Sequence, residues 1–353
     1  MGSKLKVRRL AAITDGALIS TQHISLYKTW RAGVSAFVPT MRLTTALLVI
    51  SALFGVALST VIRKQKLALG SYNDPFARFK MFSFSAAAYA DQPNLCLKSV
   101  YPTGNSTVQR VIEVICDTER TDSCRGFAAV SNEDKAIILS FRGTSQFLQL
   151  IQETVHTIFS PKEFIGGGMV SNYFYNAFLT VWKAGLKEDY LQLRNKHPDY
   201  EVWVTGHSLG GAMASLCAAT LAHEGLVNPE KMKMMTFGQP RVGDRTYADA
   251  HHALVQYSYR VVHNRDLVPH VPPENFPDNG LFDGYVHHES EVFYENDMAF
   301  GSDYKTCNSD ESWKCSDGFI FTLSIPDHLH YFQHEEFLTD YGEDGCPLSM
   351  VKK

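Results

Sequence analysis

Apolar residues in this chain occur in two alternating patterns: short unbroken runs, and longer stretches in which they recur every third or fourth position. Residues 127–130 and 136–140 are runs of the first kind. The polar stretch Ser131-Asn-Glu-Asp-Lys135 joins them, which predicts two adjacent strands and a turn. Phe174, Phe178, Val181, Trp182, Leu186 and Leu193 follow the second pattern and predict a helix over 172–196 that closes before Pro198. A strand at 202–204 comes next, then small residues over 212–219 that suit a closely packed helix, then strands at 234–237 and 259–262. Strands separated by helices argue for an α/β fold, with a mostly parallel central sheet and helices on both faces.

The N-terminal part reads differently. Residues 1–40 carry Lys4, Lys6, Arg8, Arg9, Lys28 and Arg31 with little apolar periodicity, and are expected to be a disordered extension. Residues 43–62 hold no charge. With Met41 and Arg42 as a short basic start and Ala57-Leu-Ser59 as a small-x-small site, 41–62 reads as a signal peptide, synthesis then starting at Met41. The alternative is a signal anchor, because about twenty uncharged residues can cross a bilayer and tether the body to a membrane. Either reading puts the body, residues 67–350, in the lumen or outside the cell, secreted or anchored.

Composition adds three things. The chain has 353 residues, 45% of them hydrophobic and 20% charged, enough for a large core in one or two domains. A formal charge of −4 gives no basic field, so nucleic acid is not an expected partner. Of seven cysteines, Cys217 lies in the small-residue helix and reads as a buried hydrophobe. The other six, Cys96, Cys116, Cys124, Cys307, Cys315 and Cys346, contain no CxxC pair; they suit an oxidising compartment, with the pairing left open. In that compartment Asn105-Ser-Thr107 is a usable glycosylation sequon.

The candidate chemistry centres on Glu201-Val-Trp-Val-Thr-Gly-His-Ser-Leu-Gly-Gly211. A strand, a serine flanked by glycines two before and two after, and a small-residue helix form the context of a nucleophile elbow, so Ser208 is the candidate nucleophile. A serine hydroxyl needs a base, and the base needs orienting. In elbow architectures the acid and then the histidine follow the serine, each expected at the end of a later strand. Asp266 sits just past the 259–262 strand in a proline-stiffened loop and is the acid candidate. His328 and His330 in Ile325-Pro-Asp-His-Leu-His-Tyr-Phe332 compete for the third place, and spacing does not choose between them. His330 and His334 would also share a helical face, but no glutamate follows His330 as a zinc HExxH motif requires, and no metal or other cofactor is expected. Oxyanion donors are expected from the N–H of Leu209 and from Thr144, at the end of Ile137-Ile-Leu-Ser-Phe-Arg-Gly-Thr144. The following stretch has an apolar face including Phe147, Leu148, Leu150 and Ile151, and Gly166-Gly-Gly168 comes after it. It is read as a core helix or as a lid with a glycine hinge.

Together these pieces resemble the fungal-type, class 3 lipases of the α/β-hydrolase fold over roughly residues 75–350. The resemblance rests on Leu139-Ser-Phe-Arg-Gly-Thr144, Val204-Thr-Gly-His-Ser-Leu-Gly-Gly211, Thr236-Phe-Gly-Gln-Pro-Arg-Val-Gly-Asp244, residues 259–273 and residues 325–332. It implies Ser208, Asp266 and His328 as a triad, Thr144 and Leu209 as oxyanion donors, and residues near 145–160 as the lid. It also implies disulfides Cys96–Cys346, Cys116–Cys124 and Cys307–Cys315, a cysteine spacing closest to nematode members, and no cofactor. The expectation is therefore a secreted ester hydrolase acting on acylglycerols at a lipid–water interface. A phospholipase, a carbohydrate-ester (feruloyl-type) esterase and a catalytically silent lipid-binding protein are the alternatives.

Overall fold

In a strand, successive side chains point to opposite faces, so an unbroken apolar run must be covered on both sides. The computed structural model, which describes residues 70–116, 123–144, 159–275, 284–318, 324–332 and 337–351, shows how each run is divided. Ile137, Leu139, Val202, Val204, Met232 and Met234 enter one core with the helices Asn172–Val181 and Leu209–His223. Ala136, Ile138, Trp203, Met235 and Phe237 enter a second core on the other face. There they meet the helices Phe82–Ala87, Pro93–Val100 and Leu338–Glu343.

Among the described residues the main sheet has eight strands in the order β1-β2-β3-β6-β7-β8-β9-β10. They are β1 (Ser106–Ile115), β2 (Ser123–Ser131), β3 (Ala136–Phe141), β6 (Glu201–His207), β7 (Met232–Phe237), β8 (Tyr257–His263), β9 (Glu291–Tyr294) and β10 (Lys305–Cys307). Neighbours from β3 through β9 are parallel, and the flanking pairs are antiparallel. A separate hairpin, β4 (Pro161–Glu163) with β5 (Met169–Ser171), lies outside this sheet. The fold class expected from the strand–helix alternation is the one found.

The 172–196 helix forms, with an internal break. Asn172–Val181 is α-helical, Trp182–Leu186 widens into a π-turn, and Lys187–Lys196 resumes the α-helix. Gly185 has φ 130°, and a Cβ there would strike the Arg110 guanidinium. That guanidinium donates to the Gly185 carbonyl at 2.9 Å and to Asp189 at 2.7 Å, so the break seats a cross-link from β1.

Three disulfides are present, Cys96–Cys346, Cys116–Cys124 and Cys307–Cys315, the pairing implied by the resemblance. Cys217 is free and buried on the Leu209–His223 helix. Asn105 is exposed in the turn before β1. The extension 1–40, the 41–62 segment and the lid residues Phe147, Leu148, Leu150 and Ile151 lie outside the described residues. Among the described residues no helix is long and apolar enough to cross a membrane.

Candidate active site

Strand β6 ends at His207, and the chain reverses at Ser208 into the helix Leu209–His223. Ser208 has φ 61° and ψ −130°, a strained conformation for a residue with a side chain. The bend is so tight that a Cβ on Gly206 would strike the carbonyl of Gly210, and one on Gly210 would strike that of Phe141. The backbone N–H of Ser208 donates to Phe237 O on β7 at 3.0 Å, which ties the elbow to the neighbouring strand.

Asp266 lies in the turn after β8, fully buried, and Ser324 bridges to it, which delivers the short helix Ile325–Leu329 beside it. The carboxylate is saturated. Oδ1 accepts the Val268 N–H at 2.8 Å and Oδ2 accepts the Tyr331 hydroxyl at 2.6 Å, while both oxygens lie 2.9 Å from His328 Nδ1. A carboxylate only accepts, so His328 carries its proton on Nδ1 and presents a bare Nε2 when neutral. Burial pushes the Asp266 carboxyl up, but the His328 charge and the bonds from His328, Tyr331 and Val268 outweigh it and hold it below the usual carboxylate value. Gly238, with φ 57°, closes the back of this pair. A Cβ there would sit 2.7 Å from Asp266 Oδ2 and 2.8 Å from His328 Cε1.

His328 Nε2 and Ser208 Oγ are both buried and have no hydrogen-bond partner among the described residues. A buried polar atom without a partner calls for an explanation, and a role in chemistry is one such explanation. Of the two competing histidines, His328 meets Asp266, whereas His330 Nδ1 donates to the Pro326 carbonyl at 2.8 Å. One expectation needs correction. His328 stands on a one-turn helix opened by Ser324 and Pro326, not at a strand end, because that cap and proline start a helix there. The helix stops at Leu329, and His334 lies outside the described residues. Among the described residues no group of three or more His, Cys, Asp or Glu could hold a metal.

Leu209 is the first residue of its helix, where backbone N–H groups lack an intrahelical partner. Thr144 follows Gly143, whose added Cβ would approach Ser208 Cβ to 3.0 Å, so the loop that carries Thr144 lies beside the serine. Sequence reasoning did not single out His207, Tyr89 or Tyr331. Tyr331 sits inside a quoted motif and His207 inside the elbow, so both were within reach. Tyr89 has no local signal at all.

Several buried histidines carry a testable consequence for stability. Burial, then repulsion from His328, pushes His207 down to about 3. His287 and His288 are also pushed well below the ordinary value, first by burial, then by Arg260 and Arg241 for His287 and by His251 and Arg260 for His288. Each prefers the neutral form when folded, so the unfolded chain binds more protons as pH drops below about 6.5. Stability is therefore held above that pH and lost below it, by up to about 1.4 kcal/mol per pH unit for each histidine. The Asp266 shift adds a loss of the same sign in the carboxylate range. Urea midpoints are expected to fall between pH 7.5 and pH 5, and an equal or higher midpoint at pH 5 would contradict this assignment.

A mostly parallel sheet with an elbow serine, an acid after a later strand and a histidine after that is the arrangement of the α/β-hydrolase fold. The model of the class 3 lipase family matches residues 138–276. A lipase of Caenorhabditis elegans is 35% identical over 306 residues, covering 80% of this chain and 85% of that protein. The Rhizopus niveus lipase is 34% identical over 231 residues, 65% of this chain but 54% of that protein. Among solved structures, a triacylglycerol lipase described as having a serine protease triad for its catalytic centre superposes with a TM-score of 0.61. It is 26% identical, and the match covers 74% of this chain and 96% of that one. The chain belongs to the class 3 lipase family.

Proposed function

We propose that this protein is a secreted lipase that hydrolyses acylglycerol esters through Ser208, His328 and Asp266, with Leu209 and Thr144 as oxyanion donors. As Ser208 Oγ attacks the ester carbonyl, His328 Nε2 takes its proton, and Asp266 holds the imidazolium by its Nδ1–H. The negative charge forming on the carbonyl oxygen is met by backbone N–H groups at Leu209 and Thr144. His328 then returns the proton to the leaving alcohol, and water repeats the sequence on the acyl-enzyme. The observation that carries this reading is the grip of Asp266 on Nδ1, combined with an unpartnered Nε2 and an unpartnered elbow hydroxyl.

Ser208 and His328 are only 2% and 1% exposed, so an ester must displace part of the protein to reach them. The apolar segment 145–160, with Phe147, Leu148, Leu150 and Ile151, is the proposed lid, opening toward a lipid surface. Three disulfides and the uncharged 43–62 segment support export, and Asn105 is exposed as a glycan acceptor would be. Sequencing the mature N-terminus distinguishes a cleaved signal from an anchor at 43–62. The substrate reading is tested with emulsified triacylglycerol, phosphatidylcholine and ethyl ferulate at equal ester concentration. Fastest release from triacylglycerol, rising sharply above its solubility limit, is expected. Preference for phospholipid or ferulate would reassign the substrate while leaving the site intact.

A further inference from the structure

Three hydrogen bonds link the loop that carries Thr144 to the backbone of His328. The Gly143 N–H donates to Tyr89 Oη at 3.1 Å, Tyr89 Oη lies 2.8 Å from His207 Nδ1, and His207 Nε2 lies 2.7 Å from the His328 carbonyl oxygen. The direction of each bond follows from the ends. A carbonyl oxygen only accepts, so His207 Nε2 bears a proton; burial keeps the ring neutral, so Nδ1 is bare and receives the Tyr89 O–H. Tyr89 then has its oxygen free to accept from Gly143, and burial raises its phenol above the ordinary value, which keeps that proton in place. Every donor in the chain has one acceptor.

The spacing around this chain leaves little slack. An added Cβ on Gly143 would lie 2.8 Å from the His207 carbonyl oxygen and 3.0 Å from Ser208 Cβ. The His207 ring packs on the His328 ring at 4.4 Å between centroids, with 32° between planes. His328 is thus held at two places, its Nδ1 by Asp266 and its backbone carbonyl by His207. We propose that Tyr89 and His207 are positioning residues that fix the oxyanion loop against the histidine base, an inference that rests on the triad reading above. Because Tyr89 occupies the Gly143 N–H, that amide is not an oxyanion donor, and the loop presents Thr144 instead. Burial also keeps His207 uncharged, which matters because a cation 4.4 Å away would oppose the imidazolium that His328 must become.

The test is steady-state hydrolysis of a soluble short-chain nitrophenyl ester by the full chain. Tyr89→Phe keeps the ring and its packing and removes only the hydroxyl. Since sub-ångström misplacement of reacting groups is costly, kcat is expected to fall about tenfold to a hundredfold, with KM changed less than about twofold. His207→Phe should give a similar loss, and His207→Gln, whose carboxamide can still donate to the His328 carbonyl, should recover part of it. The double variant Tyr89→Phe/His207→Phe should be little worse than the poorer single, because both cut one chain. Thermal midpoints show that the variants are folded; should His207→Phe not fold, Tyr89→Phe alone decides. Parental kcat in folded Tyr89→Phe, or a raised KM at unchanged kcat, overturns the relay while Ser208→Ala remains inactive. Turnover by Ser208→Ala overturns instead the triad on which it rests.

Discussion

Ser208→Ala is expected to lower turnover of a soluble nitrophenyl ester by roughly 10⁴- to 10⁶-fold, the range seen when the nucleophile of a serine triad is removed. The fold should be untouched, for reasons visible at the residue. Ser208 Oγ has no hydrogen-bond partner among the described residues, so its loss breaks no bond. Alanine keeps the Cβ and with it the strain of φ 61°, neither adding nor relieving any. Ser208→Gly, equally inactive, removes that Cβ and is expected to unfold at a higher temperature than Ser208→Ala, which would show that strain at the elbow is maintained for function. Fluorophosphonate labelling should disappear in both variants, and a labelled or active Ser208→Ala would refute the nucleophile.

Legibility from sequence followed the range of the forces involved. The central strands were visible because burial on both faces demands unbroken apolar runs, as in β3, β6 and β7. The edge strand β1 was not, since Ser106–Ile115 is half exposed and carries Gln109, Arg110 and Glu113 among its apolar residues. The short β9 and β10 offer too few residues for a period to register. Gly185 interrupts a helix whose apolar spacing continues across it, because the break is set by Arg110, which is remote in sequence. At the candidate site the elbow is partly local: glycine at 206 clears Gly210 a few residues on, whereas glycine at 210 clears the Phe141 carbonyl at the end of β3. The His328–Asp266 pairing is not local, and only the resemblance chose between His328 and His330. The Tyr89–His207–His328 chain joins three remote elements through single polar atoms, which no pattern of apolar positions encodes.

The second large effect is expected at Asp266. Its carboxylate accepts from Val268 N–H at Oδ1 and from Tyr331 O–H at Oδ2, and His328 Nδ1 is within 2.9 Å of both oxygens. Asp266→Asn keeps the shape but replaces one acceptor with an NH₂ donor. The backbone N–H of Val268 cannot reverse its role, so the amide oxygen stays on that side and the NH₂ takes the other. Tyr331 can rotate its hydroxyl to accept, but one of the two atoms facing His328 Nδ1 is now a donor, which favours the tautomer with its proton on Nε2. That tautomer has no lone pair for the Ser208 hydroxyl, and the imidazolium has lost its negative partner. A fall in kcat of about 10⁴-fold near neutral pH is expected, with KM little changed. Because the defect is proton placement, the loss should exceed that in Tyr331→Phe, which removes one bond to the carboxylate and leaves its charge on His328. Equal kcat in Asp266→Asn and Tyr331→Phe would mean that Asp266 acts as a packing element, and the base assigned to His328 would have to be sought elsewhere.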